Sequence, residues 1–129
     1  YVLKNSDTLV LTIALNEKTK GLINRQKLEL MKNDAVLVNV ARGDIIDEKS
    51  LYEHLKSHPD FYAALDAWWV EPFKYKKFEL DYPFFELPNL LGSPHNSALV
   101  YNDLLMGTVH AVQNLNRFFN GEKVEGLIN

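Results

Sequence analysis

Four short apolar runs recur along the chain at nearly even intervals, and this spacing constrains the fold more than any other feature. The runs are residues 9–13 (Leu-Val-Leu-Thr-Ile), 36–40 (Val-Leu-Val-Asn-Val), 62–65 (Tyr-Ala-Ala-Leu) and, more weakly, 90–92 (Leu-Leu-Gly). They begin about 27 residues apart. A gap of that size leaves room for a crossover helix between parallel strands, which strands joined by hairpins do not need. The first two runs are β-branched and almost continuous, as expected of strands buried on both faces.

Helical signals fill the gaps. Residues 25–32 place Leu28 and Met31 on one face. Asp47 is suited to cap a helix running through Lys56, with Leu51 and Leu55 turned inward. The longest amphipathic stretch is residues 98–119. There Tyr101, Leu105, Val109, Val112, Leu115 and Phe119 recur at three- and four-residue steps, and Asn120-Gly121 ends the pattern. Residues 72–88 are rich in prolines, aromatics and charges and read as a long loop with at most one helical turn. Loops of that length in a compact domain are often functional. Residues 122–129 read as an exit segment. The expected architecture is α/β: about four parallel strands with crossover helices and a long C-terminal helix.

Composition narrows the function classes. At 129 residues the chain favours a single domain. The net charge is −3, and no basic cluster exceeds Lys74, Lys76 and Lys77, which weighs against a nucleic acid partner. No apolar run approaches the ~20 residues of a membrane span. Cysteine is absent, which excludes disulfides and thiolate metal sites. A cytoplasmic location is the expectation.

In an open parallel sheet, ligands bind beyond the carboxyl ends of the strands. After the first run come Thr12, Ile13 and Ala14; after the second, Ala41, Arg42, Gly43 and Asp44. After the third come Asp66, Trp68, Trp69 and Glu71-Pro72; after the fourth, Ser93, Pro94, His95, Asn96 and Ser97. A cation, the carboxylates of Asp66 and Glu71 and an imidazole thus fall at one edge. Each alone has an ordinary reading: a turn arginine, a loop histidine, a Glu-Pro that ends an element, core tryptophans. His54, His58 and His110 receive no role.

Taken together, these residues resemble one family in order and spacing. The blocks are Asn39-Val40-Ala41-Arg42-Gly43, Asp66 followed by Glu71-Pro72, and Pro94-His95. Over nearly its whole length the chain is similar to the second half of the NAD-binding domain of the D-isomer-specific 2-hydroxyacid dehydrogenases. The resemblance implies an NAD(P)-dependent, homo-oligomeric enzyme that interconverts D-2-hydroxyacids and 2-ketoacids. It implies that Arg42 binds the substrate carboxylate and C2 oxygen through its fork of donors. His95 would be the acid–base catalyst, for which an imidazole is suited near neutral pH. Glu71 would orient His95 and favour its charged form. Asp66 would contact the nicotinamide carboxamide. Thr12, Ile13, Ala14, Val40, Ala41, Arg42, His95 and Ser97 would complete the cofactor contacts, with NAD or NADP as cofactor and no metal. The same residues are also shared by dinucleotide-sensing corepressors or scaffolds related to this family.

Departures from the family pattern are informative. Ala14 stands where proline is usual, and Asn96-Ser97-Ala98 replaces a small, glycine-rich run. Trp68-Trp69 replaces phenylalanine and a polar residue. Glu71, where the similar formate dehydrogenases carry glutamine, favours hydroxyacid chemistry over formate oxidation. No G-x-G-x-x-G occurs. The family places that pyrophosphate-binding turn upstream of the matching region. The expectation is therefore an incomplete cofactor domain, weak in NAD binding and inactive by itself, with an exposed first strand prone to self-association.

Overall fold

The computed structural model describes residues 1–126, apart from the side chain at position 103. The last three residues of the expected exit segment lie outside the described residues. In chain order the elements are α1 (Val2–Asn5), β1 (Thr8–Leu11), α2 (Arg25–Leu28), β2 (Val36–Asn39), α3 (Glu48–Ser57), β3 (Tyr62–Leu65), α4 (Pro72–Tyr75), β4 (Leu90–Gly92) and α5 (Asp103–Phe119). Single 3-10 turns occupy Gly43–Ile45 and Phe84–Glu86. Two units are distinct, Tyr1–Ser97 and Ala98–Asn129.

The first unit is one sheet of four parallel strands in the order β1-β2-β3-β4. The strand positions follow the four runs, with two ends trimmed: β2 stops at Asn39, leaving Val40 beyond it. β1 ends at Leu11, so Thr12 and Ile13 lie in the loop beyond it. Burial on both faces is also corrected. β2 alternates half-buried and buried residues, and Val10 of β1 is 51% exposed. One face carries the core: Leu11, Leu37 and Leu65 from the strands meet Leu28, Ile45, Ile46, Leu51, Leu55, Phe61 and Phe84.

Local chemistry explains the connections. Asn24 caps α2 by accepting from the Lys27 amide (3.1 Å), but the helix stops at Leu28, shorter than the expected 25–32. Asp47 caps α3 as expected, accepting from the Ser50 amide at 2.9 Å, and Leu51 and Leu55 are buried. At the other end of α3, buried Asn89 donates its side-chain amide to the carbonyls of Leu55, His58 and Phe61. The His58 carbonyl also accepts from the Phe61 amide (3.1 Å), so the Asn89 side chain adds to this turn and ties α3 to the start of β4. His54 is buried as well, and its Nε2 has no hydrogen-bond partner among the described residues. Burial, helped by the stacked His58 ring, pushes its pKa down to about 4. Residues 72–88 hold two short helical turns, where the sequence suggested at most one.

The second unit is α5 with a returning tail. The helix begins at Asp103, five residues later than the periodicity suggested, after Asn102 in a left-handed conformation. Tyr101, Leu105, Val109, Val112, Leu115 and Phe119 are all exposed. Gly121, at a φ of +71°, supplies the expected stop. The tail then turns back. Asn114 exchanges two hydrogen bonds with the Glu125 backbone, and Arg117 pairs with the Glu125 carboxylate at 3.1 Å.

Candidate active site

The strand register aligns Leu11, Asn39 and Leu65, with Gly92 beside Leu65. The four segments that follow therefore leave the sheet side by side. After β2, buried Asn39 shapes the turn. Its Oδ1 accepts from the Ala41 amide (3.0 Å) and its Nδ2 donates to the Arg42 carbonyl (2.9 Å). This turn presents Arg42, whose Nη1 donates to the Ala41 carbonyl at 2.5 Å. Gly43 permits the next contact. A Cβ on Gly43 would lie 2.3 Å from the Trp68 carbonyl carbon and 2.5 Å from its oxygen, so only glycine lets the turn after β2 touch the turn after β3.

Glu71 sits at the start of α4, with Pro72 beginning the helix as proline favours. Its carboxylate turns back. Oε1 accepts from the Trp68 amide (2.8 Å) and bonds His95 Nδ1 (2.9 Å). A carboxylate only accepts, so Nδ1 carries the proton and Nε2 is the nitrogen left for a ligand. The His95 side chain is 38% accessible and that of Glu71 17%. His95 holds a φ of +53°, a left-handed backbone that residues with a side chain seldom adopt.

Arg42, Glu71 and His95 line one cavity of about 970 Å³. They are not on opposite faces, so a coincidental scatter of polar groups does not describe this edge. The rest of the wall is largely aromatic: Trp68, Phe73, Phe78 and Phe85. Trp68 meets Phe78 and Phe85 with ring centroids 5.6 and 5.3 Å apart. Gly92 keeps this wall closed, because a Cβ there would fall 2.7 Å from the Trp68 ring and 3.0 Å from that of Phe85. Sequence reasoning missed this aromatic wall. The signal was present in the crowding of aromatics within residues 72–88. Trp68 is core, as expected of it, and also donates its amide to Glu71 and its indole to the Ser93 carbonyl (2.8 Å).

The other expected site residues lie outside this cavity. Thr12, Ile13 and Ala14 are exposed beyond β1. Val40 is 39% exposed at the end of β2, but Ala41 is 8% exposed and offers a ligand little besides backbone. Asp66 is buried at the end of β3, where its carboxylate binds residues 93–97. Burial pushes the Asp66 carboxyl up. Hydrogen bonds from the Ser93 and Ser97 hydroxyls and the Ser97 and Asn96 amides outweigh it and hold the pKa down at about 2. For a dinucleotide, the observation that fits is the apolar surface at the ends of β1 and β2. Ile13 and Val40 are exposed there, as a ledge for a flat ring would require.

Comparisons with known proteins point to one family. Residues 1–97 match the family described as D-isomer specific 2-hydroxyacid dehydrogenase, NAD binding domain. The chain is 39% identical over 127 residues to D-3-phosphoglycerate dehydrogenase of Methanocaldococcus jannaschii, covering 98% of this chain and 23% of the relative. It is 37% identical over 128 residues to glyoxylate reductase of Thermococcus kodakarensis, covering 99% and 37%. A crystal structure of a D-isomer specific 2-hydroxyacid dehydrogenase from Xanthobacter autotrophicus Py2, in complex with NADPH and MES, superposes with a TM-score of 0.75 at 29% identity. That match covers 98% of this chain and 50% of the solved one. The chain thus spans less than two fifths of the length of these two curated relatives.

Proposed function

The chain belongs to the D-isomer specific 2-hydroxyacid dehydrogenase family through its NAD binding domain, and we propose that the full-length protein reduces 2-ketoacids to D-2-hydroxyacids and catalyses the reverse. The observation that carries this reading is the Glu71–His95 hydrogen bond of 2.9 Å, in a cavity that also holds Arg42. In the reading, residues 1–129 form the C-terminal half of the cofactor domain. Homo-oligomer formation and a cytoplasmic location are further parts of the same proposal. No described helix is long and apolar enough to cross a membrane.

The chain's own residues have distinct tasks. Arg42 binds the substrate carboxylate through paired N–H donors and orients the carbonyl. Protonated His95 donates its Nε2 proton to the carbonyl oxygen as that oxygen gains negative charge, and recovers a proton in the reverse direction. Glu71 accepts from Nδ1, which fixes the ring's orientation and directs Nε2 outward. Ile13 and Val40 offer the apolar ledge, and Ser97 a hydroxyl, for NAD or NADP. The cofactor, when bound, supplies or takes up the hydride.

Turnover of a panel of 2-ketoacids with NADH and NADPH tests the reading in the full-length protein. His95→Ala should lower kcat by at least about a hundredfold and leave the cofactor Kd nearly unchanged. Undiminished reduction in that variant would refute the assignment. Tight cofactor binding without turnover in the unaltered protein would mark a dinucleotide sensor instead.

A further inference from the structure

We infer that the aromatic wall beside His95 is a side-chain subsite, and that the 2-ketoacid it selects carries a large apolar group, an aryl ring foremost. The inference rests on the function proposed above and narrows its substrate class.

Size and lining point the same way. The cavity holds about 970 Å³, at the upper end of the roughly 300–1,000 Å³ of sites that enclose a drug-sized ligand. In the proposed reaction Arg42 and His95 engage the carboxylate and the carbonyl oxygen. Glyoxylate or pyruvate held there would leave most of the space as water against apolar rings. Trp68, Phe73, Phe78 and Phe85 supply those rings. The three phenylalanines are exposed, so they present uncovered apolar area rather than a finished core. A substrate ring that covers them gains binding in proportion to the area removed from water. The lining also favours a neutral side chain. Lys74, the second cation at the cavity, rests its ammonium 4.7 Å over the ring of Tyr75, which is not among the lining residues. A distal carboxylate on the substrate would have to draw it away.

The wall is tied to the reacting group. Trp68 donates its indole to the Ser93 carbonyl, two residues before His95. Its backbone amide donates to the Glu71 oxygen that also holds His95 Nδ1. A side chain packed on Trp68 therefore lies at a set distance from the imidazole, as an oriented proton transfer requires. The Trp68 ring meets those of Phe78 and Phe85 with planes at 80° and 45°. Aromatic rings favour such edge-on and tilted contacts, so an incoming aryl ring finds both faces and edges to meet.

The test compares phenylpyruvate with pyruvate, glyoxylate and oxaloacetate in the full-length protein, supplied with NADH and NADPH. The kcat/KM for phenylpyruvate should exceed that for each of the others by at least about tenfold. Phe78→Ala and Phe85→Ala should each lower the phenylpyruvate-to-pyruvate ratio by about threefold to tenfold, and Phe78→Leu, which keeps most of the apolar bulk, by less. A smaller preference for phenylpyruvate in the unaltered protein would overturn the inference. So would a preference that both alanine variants leave unchanged, since selection would then come from elsewhere. A second readout needs no turnover: calorimetric titration with 3-phenylpropionate and with propionate, carboxylates that lack a reducible carbonyl. The phenyl compound should bind at least about tenfold more tightly, and Phe78→Ala should erase most of the difference. If the protein reduces none of the four ketoacids, the function proposed above fails, and this titration still decides the subsite. Equal affinity for the two carboxylates would overturn it.

Discussion

The carboxyl edge of the sheet is built in two contrasting halves. Beyond β3 and β4 the polar groups bind one another: Asp66 to Ser93, Asn96 and Ser97, Glu71 to Trp68 and His95, and Trp68 to Ser93. Beyond β1, and at Val40 just after β2, the surface is open, although Asn39 still braces the Ala41–Arg42 turn. Ile13 is 40% and Val40 39% exposed, and Thr12 makes no side-chain hydrogen bond among the described residues. The difference follows from what each half is proposed to do. Proton transfer requires donors held within a few tenths of an ångström before the substrate arrives, so that half is fixed by its own bonds. A large, flat cofactor is bound through area, so the other half presents apolar surface.

The largest effect should come from forcing the two halves apart. Gly43→Ala places a methyl group 2.3 Å from the Trp68 backbone, which cannot rotate away as a side chain could. The expected loss is about 3 kcal/mol or more of unfolding free energy, measured by urea denaturation. An unchanged midpoint would show that the halves do not need to touch.

Acid sharpens the comparison on the bonded side. The Asp66 carboxyl has a folded pKa of about 2, against an ordinary value of 3.8. Its folded value is depressed, so its contribution to stability is complete above pH 3.8 and declines as pH falls toward 2. The stability gap between the unaltered protein and Asp66→Asn should be about 1–2 kcal/mol near pH 6 and should close between pH 4 and 2. A gap that stays constant through that window would mean the charge of Asp66 contributes nothing.

The smallest effect belongs to the open half. Ile13→Ser removes part of the apolar ledge without breaking a hydrogen bond. In the full-length protein it should weaken NADH binding by about threefold to tenfold, the loss of roughly 1 kcal/mol of apolar contact. Stability should change by no more than about 0.5 kcal/mol. A large drop in stability together with unchanged affinity would reverse the assignment of the two halves.

Features carried by neighbouring residues were legible in the sequence. The Asp47 cap, the Gly121 stop and the positions of the four strands follow from local preference and spacing. The grouping of Arg42, Glu71 and His95 follows from one rule, that segments after parallel strands emerge at a common edge. Features that depend on which segments meet were not legible. Asp66 and Ser97 stand 31 residues apart, and nothing in either segment announces that one closes on the other. The burial of β1 was misread for a similar reason, since a β-branched run looks the same whether one face or both are covered. The start of α5 was placed too early because hydrophobic periodicity runs on through residues 98–102, where the backbone does not follow it.

Trp68 and Trp69 are the two tryptophans of these 129 residues, and they face different surroundings. The Trp69 indole donates to the Ile46 carbonyl and stacks on Phe84 in the core, while Trp68 forms a wall of the cavity. The intrinsic emission of this region therefore has one component that reports folding and one that reports the site. A quencher or an energy acceptor entering the cavity should dim Trp68 and spare Trp69. In a version of the protein with only Trp68 emitting, occupancy of the cavity could be followed in real time without any attached dye.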